Sequence, residues 1–335
     1  MLNFIFTFFV LISLFVGNAA LSIFLGIFFA YYFKISKIFF SRQVGTIPLQ
    51  IGIVILGATI SVPYALDVSS EYLPWISLFV IVSFFAGLIL LPFTYKEIIN
   101  NKKYVLDNLG FFIILGITSI TIFNSIVYYS LYYTQVISGI LMISTIPVWI
   151  IFISSILRIE KTNIFQIIGV ILSLTGVIFI ITKADLNLIK NLNFNKGDLS
   201  MVVAMFSWAI YSALLKSKKY KISQMSLLEV VIICGLVFLI PIYIIEMNMG
   251  NPIILGKPFY LILGYVVIFP GLAAFFFWIK GISIIGANRA GIFLHLMPIM
   301  GAIMAMLIFD EKFMFYHIWG AIFIIAGITL SNKKN

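Results

Sequence analysis

The chain has 335 residues, 63% of them apolar and 10% charged, with a formal net charge of +10. A soluble domain carries about 25% charged residues, so this composition excludes an ordinary water-soluble globule. The positive balance does not point to nucleic acid, because the basic residues fall in short segments between apolar runs, where they report topology.

Apolar runs of roughly 20 residues, enough to cross a bilayer, recur from end to end. The first covers residues 2–33. It is too long for the apolar part of a signal peptide and no A-x-A site follows, so it reads as a retained span, tilted or broken around Gly17–Asn18. A basic segment, Lys34 to Arg42, comes next. Further helices are predicted at 48–66, 73–93, 109–133, 136–157 and 163–182. A polar linker, Lys183 to Gly197, leads to predicted helices at 198–216, 223–246, 258–281, 287–309 and 314–331. The fold class is all-α: a polytopic membrane protein of about 11 transmembrane helices.

The stretch from Gly139 to Ile181 is written twice. Shifted by 151 positions it lands on Ala290 to Asn332, with Pro147 on Pro298, Glu160–Lys161 on Glu311–Lys312, Gly169 on Gly320 and Gly176 on Gly327. A unit of five spans reverses direction when duplicated, so the expectation is a five-plus-five inverted repeat with one extra N-terminal helix. The predicted division is 1–47 for the extra segment and its basic loop, 48–182 for the first repeat, 183–197 for the linker and 198–335 for the second repeat. With 34–47 placed in the cytoplasm, 16 basic residues fall inside and 5 outside, which favours that orientation and a cytoplasmic C-terminus. The expected location is the plasma (inner) membrane. The expected partners are the bilayer and a small-molecule substrate, no nucleic acid, with a homodimer as one assembly the reading allows.

From about Gly87 onward the chain resembles the EamA-type carriers of the drug/metabolite transporter superfamily. The resemblance rests on Leu90-Leu91-Pro92-Phe93, Gly116, Phe123-Asn124, Tyr128, Ser144-Thr145-Ile146-Pro147 and Glu160-Lys161 in the first half. Gly197-Asp198, Trp208-Ala209, Gly286 to Ala290, Pro298 and Glu311 carry it in the second. It implies ten helices around a central cavity and movement of amino acids or related metabolites, often outward. Residues 17–86, especially Leu49 to Ala58, are instead similar to membrane proteins described as sulfate exporters, and on that resemblance the chain reads as a fusion.

Polar groups at membrane depth are costly and tend to face cavities. His295 lies one turn before Pro298 near mid-bilayer, where it could bind substrate or carry a proton, or only bond a neighbouring helix. Glu229 could couple protons, or else snorkel or pair with Lys219. Asn124 and Tyr128 share a helix face and suit a polar substrate or interhelical bonding. Trp208 and Tyr211 share another face, and with Trp278 could line an aromatic cavity or pack helices. Ser144 and Thr145 suit the backbone opened by Pro147, Arg289 reads as an interface anchor, and the repeated glycines read as close-packing positions.

Cys234 is alone, no Cys/His cluster suggests a metal, and no G-x-x-x-x-G-K-[ST] motif suggests ATP drive. No helix pairs acids with a histidine, so no catalytic residues, metal or cofactor are expected and the chain does not read as an enzyme. The leading function is a secondary active transporter of small metabolites such as amino acids, working by alternating access without ATP hydrolysis. The alternatives are an inactive or accessory membrane protein and, behind it, a membrane-embedded enzyme.

Overall fold

The computed structural model describes residues 75–333 apart from 135, 186, 189–194, 249–256, 310–311 and 313. The chain divides into a unit over Met1–Ile47 and a unit over Pro48–Asn335, and the described residues belong to the second. The predicted first span, the helix at 48–66 and the Glu311 turn therefore lie outside the described residues.

Every regular element among the described residues is helical. In chain order they are α1 (Trp75–Asn100), α2 (Lys102–Asp107), α3 (Leu109–Gly116), α4 (Phe123–Tyr133), α5 (Val136–Ile143), α6 (Ile146–Ile156), α7 (Ile164–Ile181) and α8 (Lys196–Ser217). There follow α9 (Gln224–Asn248), α10 (Lys257–Val266), α11 (Phe275–Ile285), α12 (Ala287–Ile292), α13 (Leu296–Phe309) and α14 (Phe315–Ser331). Wide π turns, Ile117–Ile122 and Val267–Ala274, join α3 to α4 and α10 to α11. Counted through these joints, seven described helices are long and apolar enough to cross a membrane, and α14 is a shorter apolar helix. Their outer faces carry exposed Phe, Ile and Leu in number, which in hydrocarbon contact lipid.

Local sequence chemistry sets the helix starts. Asn163 accepts the Phe165 amide while Gln166 reaches back to the Asn163 amide, which opens α7 with a capping box. Asn195 and Asp198 do the same for α8. Pro147 sits in the first turn of α6, where its missing N–H costs nothing.

The inverted relation is written in the packing of α7 against α14. A Cβ on Gly169 would lie 2.5 Å from the Gly327 carbonyl oxygen, and one on Gly176 would lie 2.5 Å from that of Gly320. Residue numbers rise along one helix as they fall along the other, so the pair is antiparallel. The 151-residue shift turns the Gly169–Gly327 contact into Gly320–Gly176, the other contact of the same crossing. The flanking neighbours obey it too: Gly169 faces Ser331 as Gly320 faces Ile180, and Gly176 faces Ile324 as Gly327 faces Ser173. A local two-fold axis therefore passes through this crossing. Backbones approach this closely only where no side chain intervenes.

Gly176→Val is expected to force the two helices apart, at a cost of roughly 1–3 kcal/mol. Thermal unfolding in detergent should show a lowered midpoint and a lower monodisperse yield. Gly110→Val, with nothing within 4 Å of the added carbon, should leave both close to the parent.

Candidate functional site

The two π turns lie one repeat apart, and each widens its helix in the middle of a span. A π turn shifts the hydrogen-bond register and leaves carbonyls unpaired. In the first turn polar side chains take them up. The Ser207 hydroxyl of α8 donates to the Thr118 oxygen at 2.8 Å. The Asn124 amide donates to the Ser119 and Ile120 oxygens at 3.0 and 3.1 Å. Thr121, in turn, donates its hydroxyl across to the Gly235 oxygen of α9 at 2.9 Å. Asn124 is thus buried with its amide nitrogen bonded to its own helix. Tyr128, one turn on, stacks its ring 4.7 Å from Phe79 of α1.

Beside this turn lies an aromatic cluster centred on Trp208 of α8. Its ring centroid is 4.5 Å from Phe123, 5.2 Å from Tyr211, 5.4 Å from Phe275 and 5.6 Å from Trp278. The Trp278 indole donates to the Ser212 hydroxyl at 3.2 Å, and Ser212 donates onward to the Trp208 oxygen at 2.8 Å. Tyr211 is fully buried, and its hydroxyl has no hydrogen-bond partner among the described residues. The structure thus brings Trp208, Tyr211 and Trp278 together, with Asn124 next to the cluster's Phe123. Chemically this is a set of π faces with one free hydroxyl, suited to apolar or cationic groups.

His295 belongs to a second interface. The span around Pro147 is not one helix: it breaks at Ser144–Thr145 between α5 and α6. Val148 and Trp149 both donate their amides to the Thr145 oxygen, so the Ser144 oxygen has no helical donor from Val148. The span around Pro298 likewise tightens to a 3-10 turn at Phe293–His295 before α13. The His295 Nε2 lies 2.8 Å from the freed Ser144 oxygen, and Nδ1 lies 2.6 Å from the Ser173 hydroxyl of α7. A carbonyl only accepts, so Nε2 carries the proton and Nδ1 of the neutral ring accepts from Ser173. Ser144 and His295 are separated by the repeat shift itself, so this bond also lies at the two-fold relation. Ser144 and Thr145 turn their hydroxyls to backbone oxygens, of Ile140 at 2.9 Å and Met142 at 2.6 Å, as the proline context suggests.

Glu229 occupies a third interface. It is 1% exposed on α9, with a carboxylate oxygen placed so that a Cβ on Gly87 of α1 would lie 3.7 Å away. Its Oε2 is buried without a partner among the described residues. The snorkelling geometry allowed by the sequence is therefore not the one adopted. The reason is steric: Gly87 leaves room on α1 for the carboxylate. Among the described residues no group of three or more His, Cys, Asp or Glu comes together to hold a metal.

Sequence reasoning missed Ser173 and Ser212 as the partners of His295 and Trp278. Ser173 had a signal: it lies four residues after Gly169 and three before Gly176, on the face those glycines present. The carboxylates Glu97 and Glu160, each bound to a distant helix start, were also missed as contacts.

Comparison with known proteins gives a consistent answer. The model of the EamA-like transporter family matches residues 51–182 and 195–333. The match takes in 51–86, part of the stretch that was likened to sulfate exporters. The uncharacterized transporter YyaM of Bacillus subtilis (strain 168) is 23% identical over 234 residues, covering 69% of this chain and 75% of the relative. An uncharacterized transporter of Archaeoglobus fulgidus is 25% identical over 221 residues, covering 66% and 75%. A solved crystal structure of a protein superposes with a TM-score of 0.67 at 14% identity, covering 87% of this chain and 97% of that one, which establishes the fold alone.

Replacing His295 with alanine should leave the Ser144 oxygen and the Ser173 hydroxyl unpaired in a buried place, at about 1–3 kcal/mol. A lowered unfolding midpoint in detergent is the expected outcome.

Proposed function

The chain belongs to the EamA-like transporter family, and on that premise we propose that it is a secondary active carrier of small metabolites such as amino acids. It works by alternating access without ATP hydrolysis, in the plasma membrane with its C-terminus in the cytoplasm. The observation that carries this reading is the antiparallel α7–α14 crossing with its repeat-related contacts, since inverted repeats supply the two interchangeable halves that alternating access needs. The 16 to 5 division of basic residues supports the orientation.

In this reading Trp208, Tyr211 and Trp278 form the apolar wall of the substrate site, and the free Tyr211 hydroxyl supplies an oriented polar contact. Asn124 and Tyr128 contribute at the neighbouring π turn, where the main chain is already widened. His295 holds the two broken spans together across the repeat axis, where a change in its bonding is felt by both. It is a substrate and proton-relay group in this scheme. Glu229 is the second proton-coupling group, supported by its burial and by the room that Gly87 leaves beside its carboxylate. Cycles of protonation would then favour different packing of α1 on α9.

Purified protein in sealed vesicles should move at least one labelled amino acid from a panel, with no nucleotide present. Trp208→Ala should lower the initial rate by about ten-fold, the effect of losing roughly 1.4 kcal/mol of binding. Glu229→Gln should abolish the response to an imposed proton gradient while leaving substrate exchange at equal pH. A protein that folds, inserts and moves none of the panel would favour the accessory reading.

A further inference from the structure

Two carboxylates of the first repeat hold helix starts of the second. Glu97, near the end of α1, accepts the Ser223 amide at 2.7 Å, the Ser223 hydroxyl at 2.6 Å and the Ser226 hydroxyl at 2.5 Å. α9 begins at Gln224, so these groups belong to its first turn, where backbone donors lack helical partners. Glu160, in the turn after α6, accepts the Asn288 amide at 2.8 Å, at the start of α12. The residue before α12 is Gly286, with φ +88°, and a Cβ there would run into the Glu160 carboxylate. Only glycine meets both demands, the backbone angle and the close approach. Each carboxylate thus sits at the positive end of a helix dipole contributed by the opposite repeat.

Both clasps lie on one face. The Lys218 ammonium donates to the Asn108 side chain at 3.2 Å, which joins the loop after α8 to the start of α3. Lys216, in the last turn of α8, donates to the Ser283 oxygen at 3.3 Å, joining that helix end to the end of α11. Lys216 also shares a cavity of about 370 Å³ with Glu160, Asn288 and Arg289. By the distribution of basic residues this face is the cytoplasmic one.

We propose that Glu97 and Glu160 are the cytoplasmic gate: the state described here is the closed one, and access from the cytoplasm requires both carboxylates to release the helix starts they hold. This rests on the alternating-access reading and deepens it. Rocking one repeat against the other cannot part this face while both clasps are made. The clasps are suited to reversible opening, because water entering an opened vestibule can solvate both the released carboxylate and the released amide, leaving only a modest net difference. The glycine crossing of α7 and α14 has no such substitute for its backbone contacts, so it stays shut and serves as the pivot.

The test uses spin-label distances in the full chain reconstituted in vesicles, with Cys234 replaced by alanine. One label pair is placed at Lys103 and Lys219, flanking the Glu97 clasp, and another at Lys161 and Ser283, flanking the Glu160 clasp. In the parent one short separation should dominate each pair. In the Glu97→Gln/Glu160→Gln double variant a longer separation, a minority in the parent, should become the majority at an unchanged unfolding midpoint. A merely structural cap would lower the midpoint without opening the face. Ser223→Ala/Ser226→Ala removes the hydroxyl partners of Glu97 and should shift the Lys103–Lys219 pair alone, which keeps the idea open to test if the Glu variants do not fold. Unchanged distances in either folded variant overturn the gate. Flux by the parent alongside unchanged distances removes the gate and leaves the carrier; shifted distances in a protein that moves no amino acid support the gate and remove the amino-acid reading.

Discussion

A hydrogen-bonding backbone in hydrocarbon must satisfy itself or find a partner, and this chain interrupts its helices repeatedly inside the membrane. Each unpaired backbone polar group there costs several kcal/mol. The breaks at Ser144–Thr145 and Phe293–His295, and the π turns at Ile117–Ile122 and Val267–Ala274, are therefore the structurally expensive places. At the breaks where the carbonyls' partners can be followed, side chains answer them. His295 answers Ser144, Asn124 answers Ser119 and Ile120, and Ser207 answers Thr118. The sparse polar residues of an otherwise apolar chain are where the backbone needs them.

That need also ties the two repeats together. Ser207 and Thr121 reach across between α8, the π turn and α9, and His295 bridges three spans at once. Bonds of this kind are individually worth ~0.6 kcal/mol in a membrane, so no single one locks the assembly. Shape does more. Four glycines let α7 and α14 meet backbone to backbone, with Ser173 and Ile324 filling equivalent places on either side. The result is a rigid crossing surrounded by interfaces that depend on exchangeable polar contacts. On the proposed alternating-access reading, the repeats move about this crossing.

The groups proposed to carry function are distributed accordingly. The aromatic cluster of Trp208, Tyr211 and Trp278 adjoins the widened turn, His295 sits at the repeat axis, and Glu229 lies in the α1–α9 interface. Each is in a different seam. On the proposed alternating-access reading, coupling among them would pass through helix packing and not through direct contact.

The duplicated stretch and the apolar run lengths were legible in the sequence because they are local or periodic. The glycine pairs seven apart announce a close-packed face, while the capping boxes of Asn163–Gln166 and Asn195–Asp198 came to light only in the structure. Membrane burial leaves few alternatives to a helix, so the fold class followed from composition. The helix breaks around Pro147 and Pro298 were only half legible, since a proline marks a weak point without saying how it is resolved. The π turn at Ile117–Ile122 carried no signal, since it contains neither proline nor glycine, whereas the one at Val267–Ala274 holds Pro270 and Gly271 side by side. Which side chain meets which was decided by tertiary structure alone. Nothing within one helix says that Glu97 reaches Ser223, that Glu160 reaches Asn288, or that Glu229 turns toward Gly87 instead of water. Those contacts join segments more than a hundred residues apart, and their partners come within reach only after the two repeats have packed in opposite directions.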